Sequence, residues 1–384
     1  MDSTARHRNF ILLAVGITGL SFTFGVHFTI FNNFAVERIG LEPHQLGILE
    51  AIREVPGFLT AFMAGLTVGI AEPLLAGVML FLFGIGFIAY GQVGSVVPLV
   101  AWSLIWSVGF HLWEPLSNGM LLSLAREGES GRYLGRMRSV GAIATIVGIS
   151  LVYLLSRFTG WGYGTMYGMA GGVVALSALA IFTISRDIGY PTTVRLLIRR
   201  RYTIYYALTF LDGYRRQIFN TFAIFAMVRI YHVPVQRIAI LMLVNNIAAF
   251  YLGPKVGRLI DRVGEYKMLT ANYLGVGLVF LGYALVHRVE ILFGLYIIDN
   301  ILYLSNMALG IYIKRIADPE DMRPTLAMGM TVNHVAAVLM PLIGGFLWRA
   351  LGYEIVFFLG AGVVGVAFFV VQKMKEGNGH GLTG

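Results

Sequence analysis

What most restricts this chain is a succession of twelve apolar runs, each close to the ~20 residues that the hydrocarbon core of a bilayer demands of a helix. They fall at roughly 9–35, 44–70, 73–92, 96–124, 134–157, 163–185, 202–230, 236–257, 267–287, 289–313, 325–349 and 352–372. Short gaps with turn chemistry separate them, such as Gly91-Gln92-Val93-Gly94 and Gly160-Trp161-Gly162. Lipid offers no water to an exposed backbone, so runs of this kind are helices, and the alternation of a barrel strand is absent. Composition enters here: 57% of the 384 residues are hydrophobic and 13% charged, too apolar for a water-soluble core of this size. The first run, Phe10 to Ala35, is too long for the core of a cleaved leader and no small-residue cleavage site follows, so it is expected to remain as a span. The expectation is an all-α membrane protein with twelve transmembrane helices.

The placement of positive charge sets an orientation. Of 29 Lys and Arg residues, 20 fall in segments on the N-terminal side of the bilayer and 6 on the opposite side, while Arg53, Arg215 and Arg216 lie inside spans. Short loops rich in Lys and Arg stay in the cytoplasm, so both termini are expected there, in a multi-pass protein of the plasma (inner) membrane. The net charge of +9 is therefore a membrane-topology signal, and no nucleic-acid partner is expected. With no cysteine, disulfides, thiolate metal sites and cysteine nucleophiles are excluded. The phosphate-binding Gly-x-x-x-x-Gly-Lys-Ser/Thr pattern is missing, which argues against ATP-driven work.

Shifted by 188 residues, the chain matches itself. Ile30-Phe31-Asn32-Asn33-Phe34-Ala35-Val36 falls on Ile218-Phe219-Asn220-Thr221-Phe222-Ala223-Ile224, and Gly65-Leu66-Thr67-Val68-Gly69 on Gly253-Pro254-Lys255-Val256-Gly257. Ser117-Asn118 falls on Ser305-Asn306, and Gly141 on Gly329. Four coincidences at one offset describe a duplication: two parallel six-helix pseudo-repeats, related by an axis along the membrane normal. The expected organisation is an N-terminal lobe over 1–186, a basic connector over 187–201 and a C-terminal lobe over 202–384 with a short tail.

Gly257-Arg258-Leu259-Ile260-Asp261-Arg262-Val263-Gly264-Glu265-Tyr266-Lys267 is similar to the cytoplasmic Gly-x-x-x-Asp-Arg-x-Gly-x-x-Lys loop of the major facilitator superfamily. The resemblance extends over essentially the whole length. Gly131-Arg132-Tyr133-Leu134-Gly135 and Pro341-Leu342-Ile343-Gly344-Gly345 are weaker matches, the latter placing small residues where helices approach closely. The resemblance implies a gate formed by Gly257, Arg258, Asp261, Arg262, Gly264 and Lys267, and an alternating-access secondary transporter. Two departures count against a drug exporter. The loop between spans 2 and 3 reads Gly69-Ile70-Ala71-Glu72-Pro73, and the arginine that many drug exporters carry in span 4 is missing.

Ionisable groups inside spans are costly and mark cavities or partners. Through the repeat, His27 maps onto Arg215, His111 onto Asp299 and Asn32 onto Asn220, and the resemblance implies that spans 1, 4, 7 and 10 line a central cavity. Helical spacing puts His111, Glu114, Pro115 and Asn118 on one face, and Asp299, Tyr303 and Asn306 on another. It does the same for Asp212, Arg215, Arg216 and Asn220, and for Glu50, Arg53 and Glu54. Two readings stand for each set. Asp212 with Arg216, and Glu50 or Glu54 with Arg53, can neutralise one another structurally; alternatively Arg215 and Arg216 face a solute anion or Asp299, and Glu54, Glu114, Asp299, His27 and His111 carry protons. The two histidines can equally be buried imidazoles bonded to carbonyls. Asn333 and His334 are candidate cavity residues, Asn245 and Asn246 interhelical bonds, and the abundant aromatics lipid-facing. The expected activity is proton-coupled movement of a small polar, anionic solute by a monomer, with no catalytic residue, metal or cofactor. A lipophilic-solute exporter and a non-transporting sensor or scaffold are the alternatives.

Overall fold

The computed structural model describes residues 3–67, 69–126, 128–189 and 197–377. Residues 190–196 of the expected connector and 378–384 of the tail lie outside the described residues, as does Val68 of the second repeat match. Every described element is helical: α1 (Ser3–Asn33, continued by a π turn Phe34–Arg38), α2 (Pro43–Phe58), α3 (Thr60–Leu66), α4 (Glu72–Tyr90), α5 (Val96–Leu124), α6 (Ser130–Phe158) and α7 (Tyr163–Ile181) in the first half. The second half holds α8 (Thr203–Arg229), α9 (Val235–Val263), α10 (Glu265–Leu285), α11 (Val289–Tyr303), α12 (Met307–Ile316), α13 (Pro319–Leu351) and α14 (Glu354–Gly377).

Fourteen helices make twelve spans because two spans are interrupted. Span 2 pauses at Leu59, just after Pro56 and Gly57, where the Thr60 hydroxyl takes up the Pro56 and Gly57 carbonyls at 3.0 and 2.9 Å. Span 10 tightens into a 3-10 turn at Leu304–Asn306 between α11 and α12. Ten spans are long and apolar enough to cross a membrane on hydropathy alone. The other two are the interrupted α2–α3 and α8, whose hydropathy Asp212, Arg215 and Arg216 depress. Pro73 and Pro319 open α4 and α13 at the first turn, where a missing N–H does no harm. Gly264, at φ +84°, makes the turn from α9 to α10 that a side chain would strain.

Two compact units emerge. One comprises Met1–Gly40, Ile52–Thr193 and Pro234–Leu243; within it α4 packs on α7 and α5, and α1 on α6 and α7. The other comprises Leu41–Ala51, Val194–Val233 and Val244–Gly384; within it α10 packs on α14, and α8 on α13 and α14. Each unit thus contains one short segment from the other half of the sequence. In the second unit the start of α2 is held by α13: a Cβ added at Gly47 would lie 2.2 Å from the Pro341 carbonyl oxygen. Arg229 reaches the Leu41 carbonyl at 3.1 Å and Glu42 at 2.6 Å. In the first unit, Gln236 donates to the Ser156 carbonyl at 3.0 Å.

Candidate functional site: a cavity in the first half and a charge cluster in the second

In the first unit, α1, α2, α5 and α6 enclose a cavity of about 560 Å³. The face of α5 that lines it carries Trp106, Phe110, His111, Trp113, Glu114, Ser117 and Asn118, a helical periodicity. Phe24 and Phe28 come from α1, Arg53 and Glu54 from α2, and Arg138 from α6. Arg53 lies over the Trp106 ring at 5.5 Å and 3.9 Å from Glu54. Its backbone carbonyl accepts the Ser107 hydroxyl proton, tying α2 to α5. His111 Nδ1 lies 2.9 Å from the Ser107 carbonyl oxygen, so a proton on Nδ1 is held there and Nε2 takes the acceptor role. The cavity is therefore aromatic in its walls and ionisable at a few points, the pattern of a solute-binding pocket.

Of the residues singled out from sequence, His111, Asn118, Arg53, Glu54 and Glu114 line this cavity. His27 does not. It is fully buried on α1 in a box of rings from Phe28, Phe31, Phe87, Trp106 and Tyr167, with Nδ1 3.2 Å from the Tyr167 hydroxyl. Asn32, one turn further along α1, is buried, as is Glu50. The lining that sequence reasoning passed over is aromatic. Phe24, Phe28, Trp106, Phe110 and Trp113 were expected toward lipid, a position that Phe62, Phe158 and Phe369 do occupy with most of their surface exposed. Ring content alone does not separate the two, whereas the α5 periodicity does.

In the second unit, α8 and α11 bring four charges together. Arg215 Nε donates to Asp212 at 2.8 Å and Arg215 Nη1 to Asp299 at 3.4 Å. Arg216 Nη1 donates to the other oxygen of Asp299 at 3.1 Å, and Nη2 to the Asn300 side-chain oxygen at 3.1 Å. The Tyr303 ring lies under both guanidiniums, at 5.5 and 4.0 Å. The Asp212–Arg216 pair expected from i,i+4 spacing is thus replaced by Asp212–Arg215. Arg216 turns instead to α11, because Asp299 with Asn300 offers it two acceptors. Asp212, Arg215 and Asp299 are almost wholly buried, while the Arg216 side chain keeps 20% of its surface exposed. One Arg215 nitrogen, Nη2, has no hydrogen-bond partner among the described residues. Asn220 is exposed, Asn306 is half-buried with its Oδ1 unpartnered among the described residues, and Asn300 is the member that sequence reading omitted. Asn333 packs over Gly213, where an added Cβ would lie 2.5 Å from its Nδ2, and His334 follows it, half-buried on α13.

The motif that resembles a cytoplasmic gate spans the α9–α10 turn. Arg258, Asp261, Arg262 and Lys267 are exposed, flanking Gly264, with Gly257 half-buried. The acid in an ion pair there is Glu265, which holds Arg315 at 2.7 Å.

The Major Facilitator Superfamily model matches residues 205–378. No curated protein matches the chain. Solved structures do. The nucleoside transporter NupG covers 97% of this chain over 99% of its own, at 16% identity and a TM-score of 0.78. A bacterial homologue of the human lysosomal transporter Spinster, inward-facing and unoccupied, covers 97% over 98%, at 12% identity and 0.76. The peptide transporter POT, as a mutant, covers 96% over 94%, at 11% identity and 0.77. At these identities the likeness is one of fold. The Major Facilitator Superfamily model thus matches most of the second half of the chain, and nearly the whole chain shares the fold of these solved transporters.

Proposed function

We propose that the chain is a proton-coupled secondary transporter that moves a small polar, anionic solute by alternating access. The observation that carries this reading is Asp299, fully buried and shared between Arg215 and Arg216. Two guanidiniums face two carboxylates, so the cluster is neutral as it stands. Protonating Asp299 leaves Asp212 on Arg215 and frees one positive charge, and Arg216, the member with exposed surface, is where a solute anion can meet it. Proton and anion then enter together without leaving a buried charge unmatched, the physical requirement of symport. In the first half, Arg53, Arg138 and Asn118 offer donors to the same class of solute, and the aromatic walls suit a flat or apolar portion. NupG and POT, named for nucleosides and peptides, show that the fold accommodates polar cargo. The same reading gives a monomer in the plasma membrane with both termini cytoplasmic, doing no chemistry on its cargo.

Purified protein is first screened for thermal stabilisation by a metabolite panel, and hits are then assayed in proteoliposomes. An inwardly directed proton gradient is expected to drive accumulation. Asp299→Asn, a fixed mimic of the protonated state, is expected to keep counterflow but lose gradient-driven uptake. Transport that ignores the gradient and is unchanged in Asp299→Asn defeats the proposal.

A further inference from the structure

A second recess, of 160 Å³, lies at the end of the first unit that carries the N-terminus. Its walls are Arg6, His7 and Phe10 from the first turns of α1, Arg126 from the α5–α6 connection, and Tyr133 and Arg136 from the first turns of α6. The Phe10 and Tyr133 rings meet edge to face at 5.1 Å and form an apolar floor. Three guanidiniums and an imidazole converge on it, and among the described residues no carboxylate lines it. Arg6 Nε is buried with no hydrogen-bond partner among the described residues. An unmet buried donor of this kind is costly until an acceptor arrives.

The internal repeat supplies the control. The 188-residue shift carries Ser130 onto Asp318 and Tyr133 onto Asp321. In the second half those two acids neutralise the arginines that precede α8. Arg199 meets Asp321 at 2.9 Å, and Arg201 meets Asp321 at 2.8 Å and also Asp318. In the first half those two places hold a hydroxyl and a phenol, and Arg199 and Arg201 fall on Ile11 and Leu13; the recess gathers its cations from other positions, with no acid among the described residues that line it. We propose that the missing negative charge is supplied from outside the chain, by the phosphate of an anionic phospholipid headgroup.

Lipid is favoured over a soluble anion by position. The recess sits at the ends of α1 and α6, both apolar enough to cross a membrane, which places it at headgroup depth. Ile11 and Val15 follow His7 at intervals of four and are 48% and 40% exposed, giving an acyl chain an apolar track down the outside of α1. Guanidiniums are suited to the task because their forked donors match phosphate oxygens in pairs.

Native mass spectrometry of the detergent-purified full chain tests this, with dioleoyl phosphatidylglycerol, dioleoyl phosphatidylcholine or inorganic phosphate as the probe. Retention of the phosphatidylglycerol adduct over phosphatidylcholine is expected. Since each basic residue near the surface contributes about 1 kcal/mol, Arg6→Gln, Arg126→Gln and Arg136→Gln should each weaken it about fivefold. Tyr133→Asp, which restores the acid found in the second half, should abolish it, and Arg200→Gln, an equal charge change before α8, should leave it intact. Equal retention of the two lipids, or equal loss in Arg200→Gln, overturns the proposal. So does inorganic phosphate that displaces the lipid at equal concentration, since the recess is then a site for soluble anions. Should Tyr133→Asp fail to elute as folded protein, the three arginine variants decide alone.

Discussion

At the scale of the residue, the buried quartet of Asp212, Arg215, Arg216 and Asp299 is asymmetric, and the asymmetry has consequences for stability. Arg215 is the charge between two carboxylates. Removing it leaves Asp212 and Asp299 buried with only Arg216 nearby, and breaking a buried pair in this way costs about 3–5 kcal/mol. Removing Asp299 leaves Arg215 on Asp212 and Arg216 on Asn300 with part of its surface exposed, a smaller imbalance. Arg215→Met is therefore expected to melt well below Asp299→Asn in detergent. Equal melting temperatures would refute the central role given to Arg215. The types in this cluster were legible because ionisable groups are rare in spans and the 188-residue shift paired them. Partner choice was legible in part: Asp299 stood as one reading for Arg215 and Arg216, whereas spacing on one helix favours Asp212–Arg216 over the Asp212–Arg215 pair observed, and the bond from Arg216 to Asn300 had no sequence sign. His27 shows the same limit. Its helix and depth follow from the repeat, but whether its ring enters a cavity or an aromatic box depends on Phe87 and Tyr167, which arrive from other helices.

At the scale of the element, apolar length alone marks ten of the twelve spans, because the bilayer imposes a minimum that sequence cannot evade. Ends were less visible, since helices run on into water: α13 covers Pro319–Leu351 where the apolar run covers roughly 325–349. The close approach of α2 to α13 had one sequence sign, the Gly344-Gly345 pair, and half of its cause lies in Gly47. Around Gly47 the neighbour is backbone, the Pro341 carbonyl, and Gly345 meets the Pro43 carbonyl in the same way, at 2.6 Å from an added Cβ. Backbone cannot swing aside as a side chain would. Gly47→Ala should therefore lower stability by about 1–3 kcal/mol, as overpacking does. Gly65→Ala, in open space on α3, should stay within about 0.5 kcal/mol of the parent. Thermal melts of the two purified variants separate them, and matching melts would show that the α2–α13 contact has slack.

At the scale of the whole molecule, duplication was legible from the sequence, but what each copy keeps was not. The first half holds an aromatic cavity and a basic recess, while the second holds a neutralised quartet and Arg199 and Arg201 clasped by acids. An offset compares residue types and says nothing of which bundle receives a helix end, so the grouping of Leu41–Ala51 and Pro234–Leu243 with the opposite halves needed coordinates. Orientation is a global property that the placement of charge in the sequence addresses directly, and the chain is suited to testing it. It has no cysteine, so any cysteine introduced is the sole target of a maleimide. On the orientation proposed from the 20-to-6 division of Lys and Arg, the termini and the α9–α10 turn face the cytoplasm. Gly160→Cys and Arg288→Cys, in the opposite connections, should then react with a membrane-impermeant maleimide in intact cells. His7→Cys and Lys267→Cys should react only after permeabilisation. The reverse pattern would invert the protein, place the basic recess at the outer leaflet and turn the proposed proton-driven uptake into export; labelling of all four in sealed cells would instead break the even number of spans on which the parallel repeat depends.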